Sequence, residues 1–257
     1  MTLLLGSSTK RNEARSSQVS GYASAEHYYK SSFYDVSLIK TPVNTSSYTK
    51  TTMQSYFGRV NYSYKSKYLL AASLRADGSS VLAKGHKWGY FPSVAVAWRV
   101  SDENFMESTR DWLDNLKLRA SWGSTGNAGI SAYQTLPMVN ADNQIYYEFG
   151  SGVTTGRIPT TLGNENLTWE TTTSYNFGVD FGFWGNRIYG SADFYINKTK
   201  DLLYAQSLPL SSVYSHVLSN IGKTKGHGFE IQIGGVPVRT KILIGILLCR
   251  FLQQRMK

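Results

Sequence analysis

The sequence predicts an all-β chain: an antiparallel up-and-down meander of the kind that forms the wall of a transmembrane β-barrel. Three observations lead there. Eight short segments alternate apolar and polar residues, the connections between them alternate long and short, and aromatic residues gather at the segment ends. In a membrane barrel, lipid-facing and lumen-facing side chains take turns along each strand. An amphipathic helix would instead repeat its apolar positions near every 3.6 residues.

The first strand is expected at 2–8, where the apolar run is too short to show much alternation. Residues 10–53, rich in Ser, Thr and Lys, read as one long loop. The second strand, at 54–64, puts Tyr56, Gly58, Val60, Tyr62 and Tyr64 opposite Arg59, Asn61 and Ser63. "KSK" at 65–67 makes a tight connection to the clearest strand, 68–77, with Tyr68, Leu70, Ala72, Leu74 and Ala76 opposite Ser73, Arg75 and Asp77. A polar loop near 77–89 leads to a strand at 90–100, with Val94, Val96 and Trp98 on one face and Pro92 near its start, where a missing N–H costs least. Ser101 followed by Asp102 and Glu103 suggests a helix start, a cap followed by acids suited to the positive dipole end. Phe105, Met106, Trp112 and Leu113 would let that short helix seal the turn.

Alternation resumes at 116–123, with Leu116, Leu118, Ala120 and Trp122 opposite Lys117, Arg119 and Ser121. After a long loop near 124–168, the strand at 169–183 turns Tyr175, Phe177, Val179, Phe181 and Phe183 one way and Asn176, Gly178, Asp180 and Gly182 the other. "WGN" at 184–186 connects it to 187–197, where Ile188, Gly190, Ala192, Phe194 and Ile196 oppose Ser191, Asp193 and Asn197. A loop near 199–222 precedes the last alternating segment, 226–233. Residues 1–233 thus read as about eight strands of one barrel wall, and 234–257 as an atypical tail after Gly235, fitting a frameshifted or prematurely ended gene or, alternatively, a small membrane-surface helix.

Aromatics sort to the strand ends. Tyr62, Tyr64, Tyr68, Trp98, Phe183, Trp184 and Tyr189 lie beside short connections; Tyr56, Phe57, Tyr90, Phe91 and Trp169 lie beside long ones. Two such bands are what two membrane interfaces require.

Composition agrees without deciding. The 257 residues are 41% hydrophobic with 18 Tyr and only 6 Pro, and mean hydropathy is -0.29. No apolar run reaches the roughly 20 residues of a membrane helix. The start lacks the basic stretch and long apolar core of an export signal, which suggests a fragment. The net charge of +10 is spread over loops without a nucleic-acid motif, so no nucleic-acid partner is expected. A single cysteine, Cys249, excludes an intrachain disulfide and a cysteine zinc cluster, and four scattered histidines offer no ligand spacing. No catalytic, cofactor-binding or metal-binding residue is assigned, no cofactor is expected, and the chain reads as no enzyme. Inward Arg75, Arg119, Asp180, Asp193 and Glu230 read as residues that line a wet lumen or pair with one another, and ligand-binding residues stay unassigned.

Several long motifs resemble the SusC/RagA family of TonB-dependent outer-membrane transporters. They are "SYFGRVNYSYKSKYLLAASLRADGSS" at 55–80, "KWGYFPSVAVAWRVSDENFM" at 87–106, "WLDNLKLRASWGSTGN" at 112–127, "GNENLTWETTTSYNFGVDFGFWGNRIYGSADFYINKTKDLLY" at 163–204 and "LSNIGKTKGHGFEIQI" at 218–233. The resemblance implies a large plugged barrel of about 22 strands in the cell outer membrane, in contact with its lipid, of which these strands would form a partial wall open at its edges. It also implies a SusD-like lipoprotein partner, energy from the TonB complex, and glycan or peptide cargo. Plug and TonB box are absent from these residues, so the expectation is a transporter piece that does not transport alone. The alternative is a surface-exposed β-sheet module that grips glycan without transport.

Overall fold

A computed structural model of the chain describes all residues except 24–38, 151, 210, 240–243 and 257. Its strands are β1 (Thr2–Ala23), β2 (Ile39–Tyr64), β3 (Tyr68–Ser79), β4 (Trp88–Arg99), β5 (Leu113–Asn127), β6 (Met138–Phe149), β7 (Gly152–Thr161), β8 (Glu170–Phe183), β9 (Ile188–Lys200), β10 (Leu203–Ser207), β11 (His216–Asn220), β12 (Lys223–Arg239) and β13 (Ile244–Met256). Nine of them make one antiparallel sheet in the order β1-β2-β3-β4-β5-β8-β9-β12-β13. Hairpins β6–β7 and β10–β11 are set into the two long connections, so the main sheet remains a meander in sequence order. All eight predicted segments lie in this sheet, and β1 and β13 end it without pairing to each other.

Register makes the two faces. One cross-strand row runs Tyr62, Leu70, Val96, Ala120, Phe177, Phe194, Phe229. The adjacent row runs Asn61, Ala71, Ala95, Ser121, Asn176, Tyr195, Gly228. A slip of one residue in any strand would turn its apolar set onto the polar side, so the alternation fixes register throughout.

The short connections use left-handed backbone. Lys65 and Ser66 have φ of 50° and 56°, and the Lys67 N–H closes the turn on the Tyr64 carbonyl at 3.0 Å. Trp184, Gly185 and Asn186 have φ of 53°, 67° and 57°. Trp184 is the costly member, since a bulky residue rarely adopts positive φ. Its N–H is held by the Trp112 carbonyl at 2.9 Å, while the Asn186 N–H donates to Asp114 Oδ2 at 2.9 Å.

Several loop boundaries differ from expectation. Within 10–53, β1 continues to Ala23 and β2 begins at Ile39, paired residue by residue as a long ribbon. Its sequence hides the strands because polar residues occupy both faces and no apolar period marks them. The loops near 77–89, 124–168 and 199–222 are likewise shortened by β3, β5 and β9, which run on to Ser79, Asn127 and Lys200. Two of them also contain the inserted hairpins. The predicted helix after Val100 is instead two short 3-10 segments, Val100–Asp102 and Asn104–Thr109, neither capped by a side chain.

The division at residue 233 is not a structural one. β12 runs on to Arg239, and β13 pairs with it from Gly226↔Met256 to Arg239↔Ile244. Its strand was hidden because apolar residues sit on both faces: Leu248 and Leu252 share the polar face, Leu247 and Phe251 the apolar one.

Among the described residues, the buried hydrophobic cluster lies at the long-connection end. Val81, Leu82, Phe91 and Trp169 form it, with Met53, Ala128 and Ile130 packed alongside. The loop read as polar therefore carries core: Leu82 is 1% exposed, and Leu167 nearby is fully buried.

Candidate functional site

The apolar face is uncovered. Leu70, Leu74, Val96 and Phe194 are 41%, 53%, 49% and 40% exposed, and Phe181 is half-buried. A contiguous exposed apolar area on this scale marks a surface meant for another phase or partner. It is bordered by aromatic rims. At the short-turn end Tyr68 stacks with Trp98 at 6.4 Å and adjoins Tyr64, Phe105 meets Trp98 edge-on, and Trp112 stacks on Phe183 at 5.9 Å beside Trp184. At the other end Tyr56 stacks with Trp88 at 6.0 Å and Tyr90 stands exposed.

Eight residues separate Tyr64 from Tyr56 along β2. That is about 27 Å of strand, and about 21 Å along the membrane normal for a strand tilted by about 40°. A membrane barrel's apolar band is about 25 Å tall, so the spacing fits.

Some rim assignments fail. Tyr189 lies on the polar face directly opposite Gly234, where a Cβ would fall 2.5 Å from the tyrosine ring; only glycine admits it. Phe91 and Trp169 are buried together, edge to face at 5.3 Å, with the Trp169 indole N–H donating to the Lys87 carbonyl. Phe57 shares the polar face with Arg75, whose guanidinium lies 5.9 Å from its ring. Position near a strand end could not separate these residues from rim members; face and packing do.

Glu103 ties the short turns together. Its Oε1 accepts from the Tyr68 hydroxyl at 2.7 Å and the Trp98 indole at 3.1 Å, and its Oε2 accepts from Lys67 Nζ at 3.1 Å. The Arg99 N–H also reaches the Lys67 carbonyl at 2.8 Å. The Tyr68 and Trp98 hydrogen bonds, then Lys67, hold the carboxyl at about 2, well below its ordinary 4.5. Read as a dipole-end acid, Glu103 instead works as a tie between turns.

On the polar face the sequence-predicted charges fall into separate groups. Arg119 Nε donates to both oxygens of Asp180 at 3.0 Å, and Nη2 reaches Asp180 at 2.8 Å and Asp193 at 3.1 Å. Lys117 adds a contact to Asp180 at 3.4 Å. Gly178 lies between Arg119 and Asp193 in register, and a Cβ there would sit 2.5 Å from Asp193 and 2.8 Å from the guanidinium. The missing side chain is what lets one arginine bridge across β8 to β9. Glu230 pairs with Arg250 of β13 at 2.5 Å, and Arg75 is held apart by Asp77 at 2.7 Å and Ser55 at 3.0 Å.

Alternation alone does not mark Lys117, Gly178 and Arg250 as members of this network. The first two were legible in principle, because an antiparallel register opposing Lys117 to Asp180 also opposes Arg119 to Gly178. Arg250 required the pairing of β13. These groups neutralise and position one another, and nothing in their arrangement supplies a nucleophile with its base. A hydroxyl-lined groove on the same face, between Arg59, Ser73, Arg75, Ser93 and Ser121, offers hydrogen-bonding groups to a polar solute.

Comparison with known proteins matches this geometry. Residues 4–245 fit the sequence profile of the family described as TonB dependent receptor-like, beta-barrel. The TonB-dependent receptor SusC of Bacteroides thetaiotaomicron is 41% identical over 197 residues, 75% of this chain and 19% of the relative. A TonB-dependent receptor of Formosa agariphila is 37% identical over 201 residues, 77% of this chain and 19% of that protein. The RagAB peptide transporter has a chain that superposes with a TM-score of 0.82 at 24% identity, covering 99% of this chain and 28% of its own. This chain therefore spans about a fifth of the length of the curated relatives it matches. By profile, identity and coverage, the chain belongs to the TonB-dependent receptor β-barrel family, a family of outer-membrane receptors and transporters rather than enzymes, and within it resembles the SusC/RagA branch.

Proposed function

We propose that this chain is part of the outer-membrane wall of a TonB-energised importer of glycan or peptide, partnered by a SusD-like lipoprotein, and that it does not transport by itself. The observation that carries this reading is the two-faced meander: an uncovered apolar face between aromatic rims, backed by an ion-paired polar face. In this reading the apolar face meets lipid, the polar face lines the lumen, and the long connections reach the cell exterior. Peptide cargo is supported by a structural neighbour, the RagAB peptide importer. A soluble glycan-binding module would have to cover Leu70, Leu74 and Val96, which are exposed.

The open sheet has two unpaired edges, β1 and β13. Such edges template aggregation, and a ring that does not close leaves no sealed pore. The test is reconstitution of the purified chain in phosphatidylcholine vesicles and planar bilayers. Protection of the rim tryptophans from aqueous quenchers with no steady conductance supports the reading. Fully water-accessible rims, or stable channels with peptide or oligosaccharide flux, would overturn it.

A further inference from the structure

The apolar face ends in an unexplained cluster of cations. On β9 the outward series Ile188, Gly190, Ala192, Phe194, Ile196 continues without a register break into Lys198 and Lys200. On β12 the outward series Ile231, Phe229, His227 continues into Lys225 and Lys223. The ladder sets Lys198 directly opposite Lys225 and Lys200 directly opposite Lys223. Arg255 of β13 pairs in turn with His227.

Like charges directly opposite each other destabilise a sheet. The neighbouring outward positions of β8 do nothing to relieve them, being Thr171, Thr173 and Tyr175. Among the described residues none of the four lysines has a carboxylate partner, and all four are exposed. Lys198 leans on the Tyr175 ring, 5.6 Å from its centroid. Glu170, the nearest acid of β8, is turned to the opposite face and is bonded to Asn127 and the Leu203 N–H.

Height identifies what stands opposite these charges. Lys198 lies ten residues and Lys200 twelve residues from Ile188 at the short-turn end of β9. With strands tilted by about 40°, those steps rise about 26 Å and about 31 Å, which is the upper border of an apolar band about 25 Å tall. The lysines thus face the head-group layer immediately above the hydrocarbon.

We propose that Lys198, Lys200, Lys223 and Lys225, flanked by His227 and Arg255, form a docking surface for phosphate groups of glycolipid in the outer leaflet. This rests on the membrane-wall reading above. Charge complementarity selects the occupant: paired ammonium groups without protein counter-charges, at head-group height, are matched by anionic phosphates on the lipids that surround the wall. The bound lipid would relieve the cross-strand repulsion and fix the height of β9 and β12 in the bilayer.

The full chain, folded in neutral detergent, is mixed with diphosphorylated lipid A or with the same glycolipid stripped of phosphate, and bound lipid is counted by native mass spectrometry. We expect about tenfold or greater preference for the phosphorylated form, declining steeply as salt rises from about 0.1 to about 0.5 M. K198Q/K200Q/K223Q/K225Q should abolish the preference, and the corresponding four Lys→Arg changes should keep it, with circular dichroism reporting strand content in each. Equal retention of both lipids by the wild-type chain would overturn the proposal whether or not the variants fold. Insertion into phosphatidylcholine vesicles reports the underlying reading separately: insertion without phosphate preference defeats only the docking surface, and failure to insert defeats both.

Discussion

Glu103 belongs to the connection between β4 and β5, yet its carboxylate gathers Lys67 of the β2–β3 turn, Tyr68 of β3 and Trp98 of β4. Its depressed pKa gives that tie a definite pH dependence. A carboxyl held at about 2 when folded and near 4.5 when unfolded contributes stability that is fully present above 4.5 and is lost as pH falls toward 2. In detergent-folded chain, tryptophan emission should hold steady above that window and shift within it. E103Q, which has no carboxyl to titrate, should not show this step. An identical acid profile for the variant would remove Glu103 from the account. The Arg119 bridge makes a different point at the same scale, for its geometry depends on Gly178 having no side chain at all.

Among the elements, the loop between β3 and β4 departs most from its apparent polarity. Val81 and Leu82 pack it against Phe91 and Trp169, and Ala83 beside them is buried as well. Further ties hold the adjoining segment: Thr168 N–H donates to Asn220 Oδ1 and Asn220 Nδ2 donates back to the Thr168 carbonyl, each at 2.9 Å. This small core packs the long-connection end together, and we expect it to unfold as one unit. Trp169→Ala removes the largest ring of the cluster and the hydrogen bond to Lys87. It should cost that unit about 3–5 kcal/mol, seen as faster proteolysis within residues 80–87 while the strand signal in circular dichroism stays unchanged. A loss of strand signal in step with cleavage would mean that loop and wall unfold together.

For the molecule as a whole, one sheet carries an apolar face and a polar one. Val96 and Ala95 are adjacent in β4, yet they belong to the apolar and polar rows respectively. Val96→Arg should therefore lower folding into phosphatidylcholine vesicles by about 2–4 kcal/mol, measured by urea titration. Ala95→Arg should cost much less, because its side chain enters the aqueous side. Equal penalties at the two positions would mean that both faces meet the same medium. The exposed edges of β1 and β13 belong to this scale too, since no side-chain change on either face alters their unpaired backbone groups.

The amino-acid order alone determined strand identity and facing wherever a segment alternates an apolar with a polar face, from 54–64 through Gly226–Ile233. Each position there carries the mark of its face. It did not mark the extension of β1 and β2 through residues 10–23 and 39–53, because polar residues occupy both faces there and set no period. It did not mark β13 either, whose apolar residues fall on both sides. Family motifs were legible because they are long and ordered. The three-dimensional arrangement was needed for everything that depends on partners distant in sequence. It took Phe91 and Trp169 out of the rim and into a core, turned Tyr189 onto Gly234, and joined Arg119 to both Asp180 and Asp193. It also brought Lys198 and Lys200 opposite Lys225 and Lys223. A period of two tells a side chain which face to take; only the ladder tells it which neighbour it meets there.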